Sequence, residues 1–74
     1  MSRPKDANDA IARANGALSM YSQYWGSSTK QFGEQFDLIM KILEANADQM
    51  ESPSDKAVVL SYVEALKSNF RPNG

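Results

Sequence analysis

The 74-residue chain contains no cysteine and no histidine. Disulfide staples are thereby excluded, and so are the ligands that most zinc, copper and haem sites require. The same two absences remove the usual general base and the thiol nucleophile, leaving Asp, Glu, Lys, Tyr and Ser for any catalysis. No glycine-rich phosphate cradle, nucleophile elbow or zincin pattern occurs either. The expectation is a non-enzyme that needs no cofactor and has no small-molecule substrate. Long apolar runs are also missing: "LIM" and "AVVL" are the longest, far short of a bilayer span. The opening "MSRPKDANDA" lacks the apolar centre of a cleavable signal peptide. We therefore expect a soluble protein, cytoplasmic or exported without a cleaved leader. Finally, charge of neither sign dominates. The net charge is −1, with acidic and basic residues scattered along the chain, so the electrostatic footprint of a nucleic-acid or anionic-lipid partner is absent.

A chain of this length makes one small domain and buries only roughly 60% of its unfolded surface. Domains near this limit commonly gain stability from disulfides, a metal or a partner chain. With the first two removed by composition, a protein partner is the remaining staple.

What is present is helical spacing. Ala7, Ile11, Ala14, Leu18, Tyr21 and Trp25 recur at steps of four and three, one face of an α-helix, and period-two alternation is absent throughout. Ser2 and Pro4 suit a helix start, and Asp6 and Asp9 complement the helix dipole, which places a first helix at about 4–25. Gly26-Ser27-Ser28-Thr29 then offers a break, with Gly26 as a terminator and Ser27 or Ser28 as the next cap. A second reading stays open. The apolar stripe resumes in phase at Phe32, Phe36, Ile39, Leu43 and Met50, as it would in one long helix running through the step. The second segment is placed at 28–49, and Leu38, Met40 and Ile42 make its apolar face wide. "SPSD" at 52–55 is a clear helix start, with Ser52 as cap, Pro53 at the first helical position and Asp55 three residues after the cap. Val59, Val63, Leu66 and Phe70 carry a third helix over 53–70, stopped by Pro72.

Candidate sites follow from these helices. Glu44, Asp48 and Glu51 share a helical face, but such a row is usually solvated and no loop adds the oxygens that calcium requires. The second helix, the 51–54 turn and the third helix imitate a helix-turn-helix, which gives an alternative reading as a small DNA-associated regulator. Asp55 in the first turn of its reading helix would repel phosphate, so nucleic acid is not the expected partner. The aromatic stretch "MYSQYWGSSTKQF" remains. Tyr21 and Trp25 lie on the first helix's stripe, with Met20 and Tyr24 on its flank. The small residues Ala7, Ala10, Ala14 and Ala17 bury little area, so the aromatics must supply much of that helix's docking energy. If Met20 and Tyr24 are buried too, something beyond the other two helices must cover them. The candidate interface residues are Tyr21, Tyr24, Trp25, Phe32, Phe36, Leu66 and Phe70, since Tyr and Trp are enriched at interface hot spots.

The run "SPSDKAVVLSYVEALKSNF" resembles part of the type III secretion needle and inner-rod subunits, which are small, cysteine-poor helical hairpins. Pro53, Ser54 and Asp55 resemble their Pro-Ser-Asx turn, and Tyr62 and Leu66 the apolar positions after it. The resemblance covers about twenty residues and implies a subunit that polymerises through amphipathic helices. The order of parts departs from that family, because only one short helix follows the turn here and some fifty residues precede it.

The sequence thus predicts an all-α fold, a helical hairpin or three-helix bundle that oligomerisation could complete. Its expected role is protein–protein interaction with itself or another helical protein, as a self-assembling subunit or as a small chaperone or adaptor.

Overall fold

Asp6 opens the first helix. Its backbone is extended, and its Oδ1 accepts the Asp9 N–H at 2.9 Å. Asp9 reaches back in turn, its Oδ2 accepting the Lys5 N–H at 3.0 Å, which is the reciprocal logic of a capping box. The computed structural model describes residues 4–69. Within them α1 runs Ala7–Trp25, α2 Lys30–Gln49 and α3 Pro53–Asn69, with no strand among the described residues. The chain is an all-α three-helix bundle. The first helix thus starts three residues later than its spacing suggested, because the side chain that satisfies the free N–H groups is that of Asp6. Ser2 and Phe70 lie outside the described residues.

Of the two readings of Gly26–Thr29, the structure has the break. Gly26 sits at φ 86°, a backbone conformation that side chains oppose, and its N–H donates to the Ser22 carbonyl at 2.8 Å. The Thr29 N–H closes a turn onto the Gly26 carbonyl at 3.3 Å, making Ser27 and Ser28 its two central residues. The cap of α2 is consequently Thr29, in place of either serine. Its Oγ1 accepts the Phe32 N–H at 3.2 Å and donates to the Gly26 carbonyl at 2.9 Å. At the other corner the Ser52 Oγ accepts the Asp55 N–H at 3.3 Å, with Pro53 as the first residue of α3.

The core is one cluster. It takes Ala7, Ala10, Ala14 and Leu18 from α1, and Phe32, Phe36, Ile39, Met40, Leu43 and Ala47 from α2; α3 adds Val59 and Val63. Helix α2 packs against both neighbours, and α1 touches α3 as well. The alanines of α1 let it approach closely, while α2 supplies the bulk that fills the space. No polar side chain is buried among the described residues, so the bundle is held by apolar packing and capped helix ends.

Candidate interaction surface

The seven candidate interface residues do not share one environment. Phe32 and Phe36 are 4% and 2% exposed and pack 6.3 Å apart between ring centroids, inside the bundle. Tyr21 and Leu66 are half-buried against the core. Trp25 is half-buried and Tyr24 is 80% exposed. Phe70 falls outside the described residues. The two phenylalanines are therefore core residues of the folded chain. Met20 and Tyr24 are not covered by the other helices; Met20 is 58% exposed.

What the structure adds is a groove of about 550 Å³ between α1 and α2. Ala10, Ala14, Ala17 and Tyr21 form its α1 wall, and Leu38, Ile39, Ile42 and Leu43 its α2 wall. Leu38 and Ile42 stand 51% and 50% exposed along its edge, one helical turn apart. The groove extends along α2 from Gln35 to Asn46, about 16 Å at 1.5 Å per residue, or three turns of helix. Arg13, at its α1 rim, is paired with Asp9 at 3.2 Å. Asp9 is held below the usual carboxylate range, first by the Lys5 N–H and then by the Arg13 guanidinium.

On α2, charge avoids the groove side. On a helical projection, Lys30, Glu34, Asp37, Lys41, Glu44 and Asp48, which are all the charges of α2, fall within an arc of about 80°. The neighbouring arc of about 100°, towards the groove, holds only Leu38, Ile42, Ala45, Asn46 and glutamines. Between Arg13 and Lys30 there is no charged residue at all. Interface centres are depleted of charge and rich in Tyr, Trp and Met in the same way.

Leu38 and Ile42 were legible only as part of a wide apolar face. The stronger signal, the one-sided crowding of α2's charges, was also in the sequence. The opposite flank of α2 carries an ion pair to α3, Lys67 Nζ to Glu44 Oε2 at 3.0 Å. Among the described residues no group of three or more acidic side chains is placed to hold a metal ion, and no helix is long and apolar enough to cross a membrane. A smaller polar hollow of about 370 Å³ lies beside the 51–54 turn, lined by Lys5, Asn46, Glu51 and Asp55 among others.

No family model, no curated protein and no solved structure matches the chain.

Proposed function

We propose that this chain is a protein–protein interaction module whose working surface is the α1–α2 groove and its rim. The observation that carries the reading is the position of the exposed large apolar residues. Four of the six exposed large apolar residues among those described, Met20 and Tyr24 of α1 and Leu38 and Ile42 of α2, belong to the two helices that form the groove, on a bundle whose core is already closed without them. Three turns of apolar trough, bounded by a ridge of branched side chains, suit an amphipathic helix laid lengthwise. The mechanism is burial of that face. The anchors are Leu38, Ile42 and the Tyr21–Tyr24–Trp25 cluster, where the sequence had also offered Phe32 and Phe36.

The resemblance of the "SPSD" region to needle and inner-rod subunits supports assembly as the outcome of such burial, in a bacterial secretion system. It concerns α3, however, whereas the open face belongs to α1 and α2. The DNA-regulator reading draws nothing from the geometry: the first turn of α3 carries Asp55, and its neighbours Ser54 and Lys56 offer one cation to set against that carboxylate.

A photo-crosslinking amino acid placed at Leu38, Ile42 or Leu60, in the cells that make the protein, tests this. Leu60 is an exposed residue of α3 and serves as the control. Adducts of defined mass from positions 38 and 42, and none from 60, are the expected result. Absence of a protein adduct at 38 and 42 overturns the proposal.

A further inference from the structure

The buried faces of α1 and α2 lie on one line, although the chain turns back between them. If the helix is projected straight through the corner, at about 100° per residue, Ala7, Ala10, Ala14 and Leu18 fall within an arc of about 80°. Phe32, Phe36, Ile39 and Leu43 fall inside the same arc, with Met40 and Ala47 within about 40° of its edge. That register belongs to the length of this corner. One residue more between Trp25 and Phe32 would carry the buried set of α2 about 100° away. Both ends of the step are already helical, since the Gly26 N–H donates to the Ser22 carbonyl at 2.8 Å and the Gly33 N–H to the Thr29 carbonyl at 3.1 Å. Between them, Gly26 (φ 86°, ψ 141°) and Thr29 (φ −86°, ψ 157°) leave the helical region. No proline stands in residues 26–29 to forbid a helix. The other corner has one: Pro53 would clash with the carbonyl four residues before it if α2 ran on.

We propose that the Gly26–Thr29 corner is a hinge: straightened, it joins α1 and α2 into one helix over 7–49, about 65 Å long, and two copies of the chain exchange their α1 helices. The α1 of one copy then takes the place of the other's own, against Phe32, Phe36, Ile39 and Leu43. An antiparallel hairpin and an antiparallel pair of long helices bring the same residues together, so the dimer needs no surface beyond the core already present. Complementarity is inherited, and the assembly closes by two-fold symmetry. Helix α1 is the easier element to release. It gives the core three alanines and a leucine, where α2 gives two phenylalanines, Ile39, Met40 and Leu43. The inference is independent of what occupies the groove, because exchange rebuilds that groove from α1 of one copy and α2 of the other.

The composition of the corner holds the folded-back form. Gly26 takes a φ that other residues resist, and Gly and Ser are poor helix formers, so the parent favours the turn. Alanine at positions 26, 27 and 28 reverses that preference in both chains of the dimer. It strains the turn at position 26 and supports the helix at all three, so association should tighten by about a thousandfold or more.

The test compares the purified full chain with a Gly26→Ala, Ser27→Ala, Ser28→Ala variant, each unfolded in urea, refolded at about 10 μM and about 1 mM, and weighed by light scattering. The parent should be a monomer at the lower concentration and contain dimer at the higher. The variant should be a dimer at both, with at least the parent's helical content by circular dichroism. Spin labels at Arg13→Cys and Ile42→Cys, on opposite walls of the groove, identify the kind of dimer. The chain has no cysteine of its own, so labelling is confined to those two sites. In a folded-back chain the short distance across the groove lies within one molecule and survives refolding with an excess of unlabelled chain. In the exchanged dimer it lies between molecules, so dilution removes it and leaves about 44 Å within each long helix. A parent that stays monomeric at the higher concentration, a variant that stays monomeric or unfolds, or a dimer whose short distance survives dilution each overturns the hinge. All of these leave the interaction-module reading standing, because the folded-back chain keeps its groove.

Discussion

The ring of Tyr21 lies stacked on that of Trp25, with centroids 5.3 Å apart and planes 24° apart, and Tyr24 meets the same indole edge-on at 5.7 Å. The three rings form a cluster at the end of α1, and of them Tyr21 is packed against the core. Removing Trp25 should therefore cost the ring pairing and little else. Trp25→Ala is expected to lose about 1 kcal/mol and to melt a few degrees lower with its helical content intact. Phe36→Ala, at a site 2% exposed in the centre of the bundle, should lose about 3–5 kcal/mol, a large share of what a chain this small possesses. Thermal melts of the two variants, followed by circular dichroism, separate them. An equal loss would place Trp25 in the core.

The corner at Gly26–Thr29 makes a sharper demand. Thr29→Val keeps the shape and removes the hydroxyl that accepts the Phe32 N–H, so it should cost about 1 kcal/mol. Ser27→Ala and Ser28→Ala, at exposed central positions of the turn, should fall within about 0.5 kcal/mol of the parent. Gly26→Ala has ample space, since its Cβ would come no nearer than 3.9 Å to the Thr29 Cγ2. It should nevertheless cost about 1–3 kcal/mol, because at φ 86° the strain is in the backbone. Urea titrations of the four variants measure each value.

These residues also show how far sequence reading reached. Helix class and the stripes of α2 and α3 follow from step lengths of three and four, which only one backbone geometry satisfies. The Ser52-Pro53 corner was equally visible, because a proline at the first helical position and a hydroxyl before it act locally. The Gly26–Thr29 step was not decided. Two helices folded back on one core and one continuous helix both keep the apolar stripe in phase. The difference lies in whether α2 can bury Phe32 and Phe36 against α1, a tertiary fact. The same ignorance misassigned the cap, since Ser27, Ser28 and Thr29 all carry the right hydroxyl and only the closed turn selects Thr29. On the candidate surface, aromatic residue type pointed to Phe32 and Phe36, which the bundle encloses, and passed over Leu38 and Ile42. Periodicity assigned all four to a wide face of α2, and only the placement of α1 and α3 divides that face into core and rim.

The ion pair between Lys67 and Glu44 joins α2 to α3 across 3.0 Å, with both side chains about half exposed. Pairs in such positions gain little, because water solvates each partner nearly as well and two long side chains lose freedom. Lys67→Ala should change stability by less than about 0.5 kcal/mol, and high salt should not lower the melting temperature of the parent appreciably. A loss above 1 kcal/mol would mean that α3 is held to α2 by charge more than by Val59 and Val63.

Stability should fall at both extremes of pH, for separable reasons. Asp9 has its carboxyl lowered by the Lys5 N–H and by Arg13. The folded state thus favours the ionised form more than the unfolded state does. Its contribution is full above the usual carboxylate value near 3.8 and disappears as pH drops through the lower folded value. At the alkaline end, burial raises the Tyr62 phenol above its ordinary value of 10.0. Here the folded state favours the neutral form, so stability is intact below that ordinary value and is lost as pH climbs from there through the folded value. Asp9→Asn should flatten the acid limb of a melting-temperature profile and leave the alkaline limb alone; Tyr62→Phe should do the reverse. A profile whose acid limb survives Asp9→Asn would trace acid sensitivity to other carboxylates, and the reciprocal capping at the start of α1 would then carry no measurable share of it.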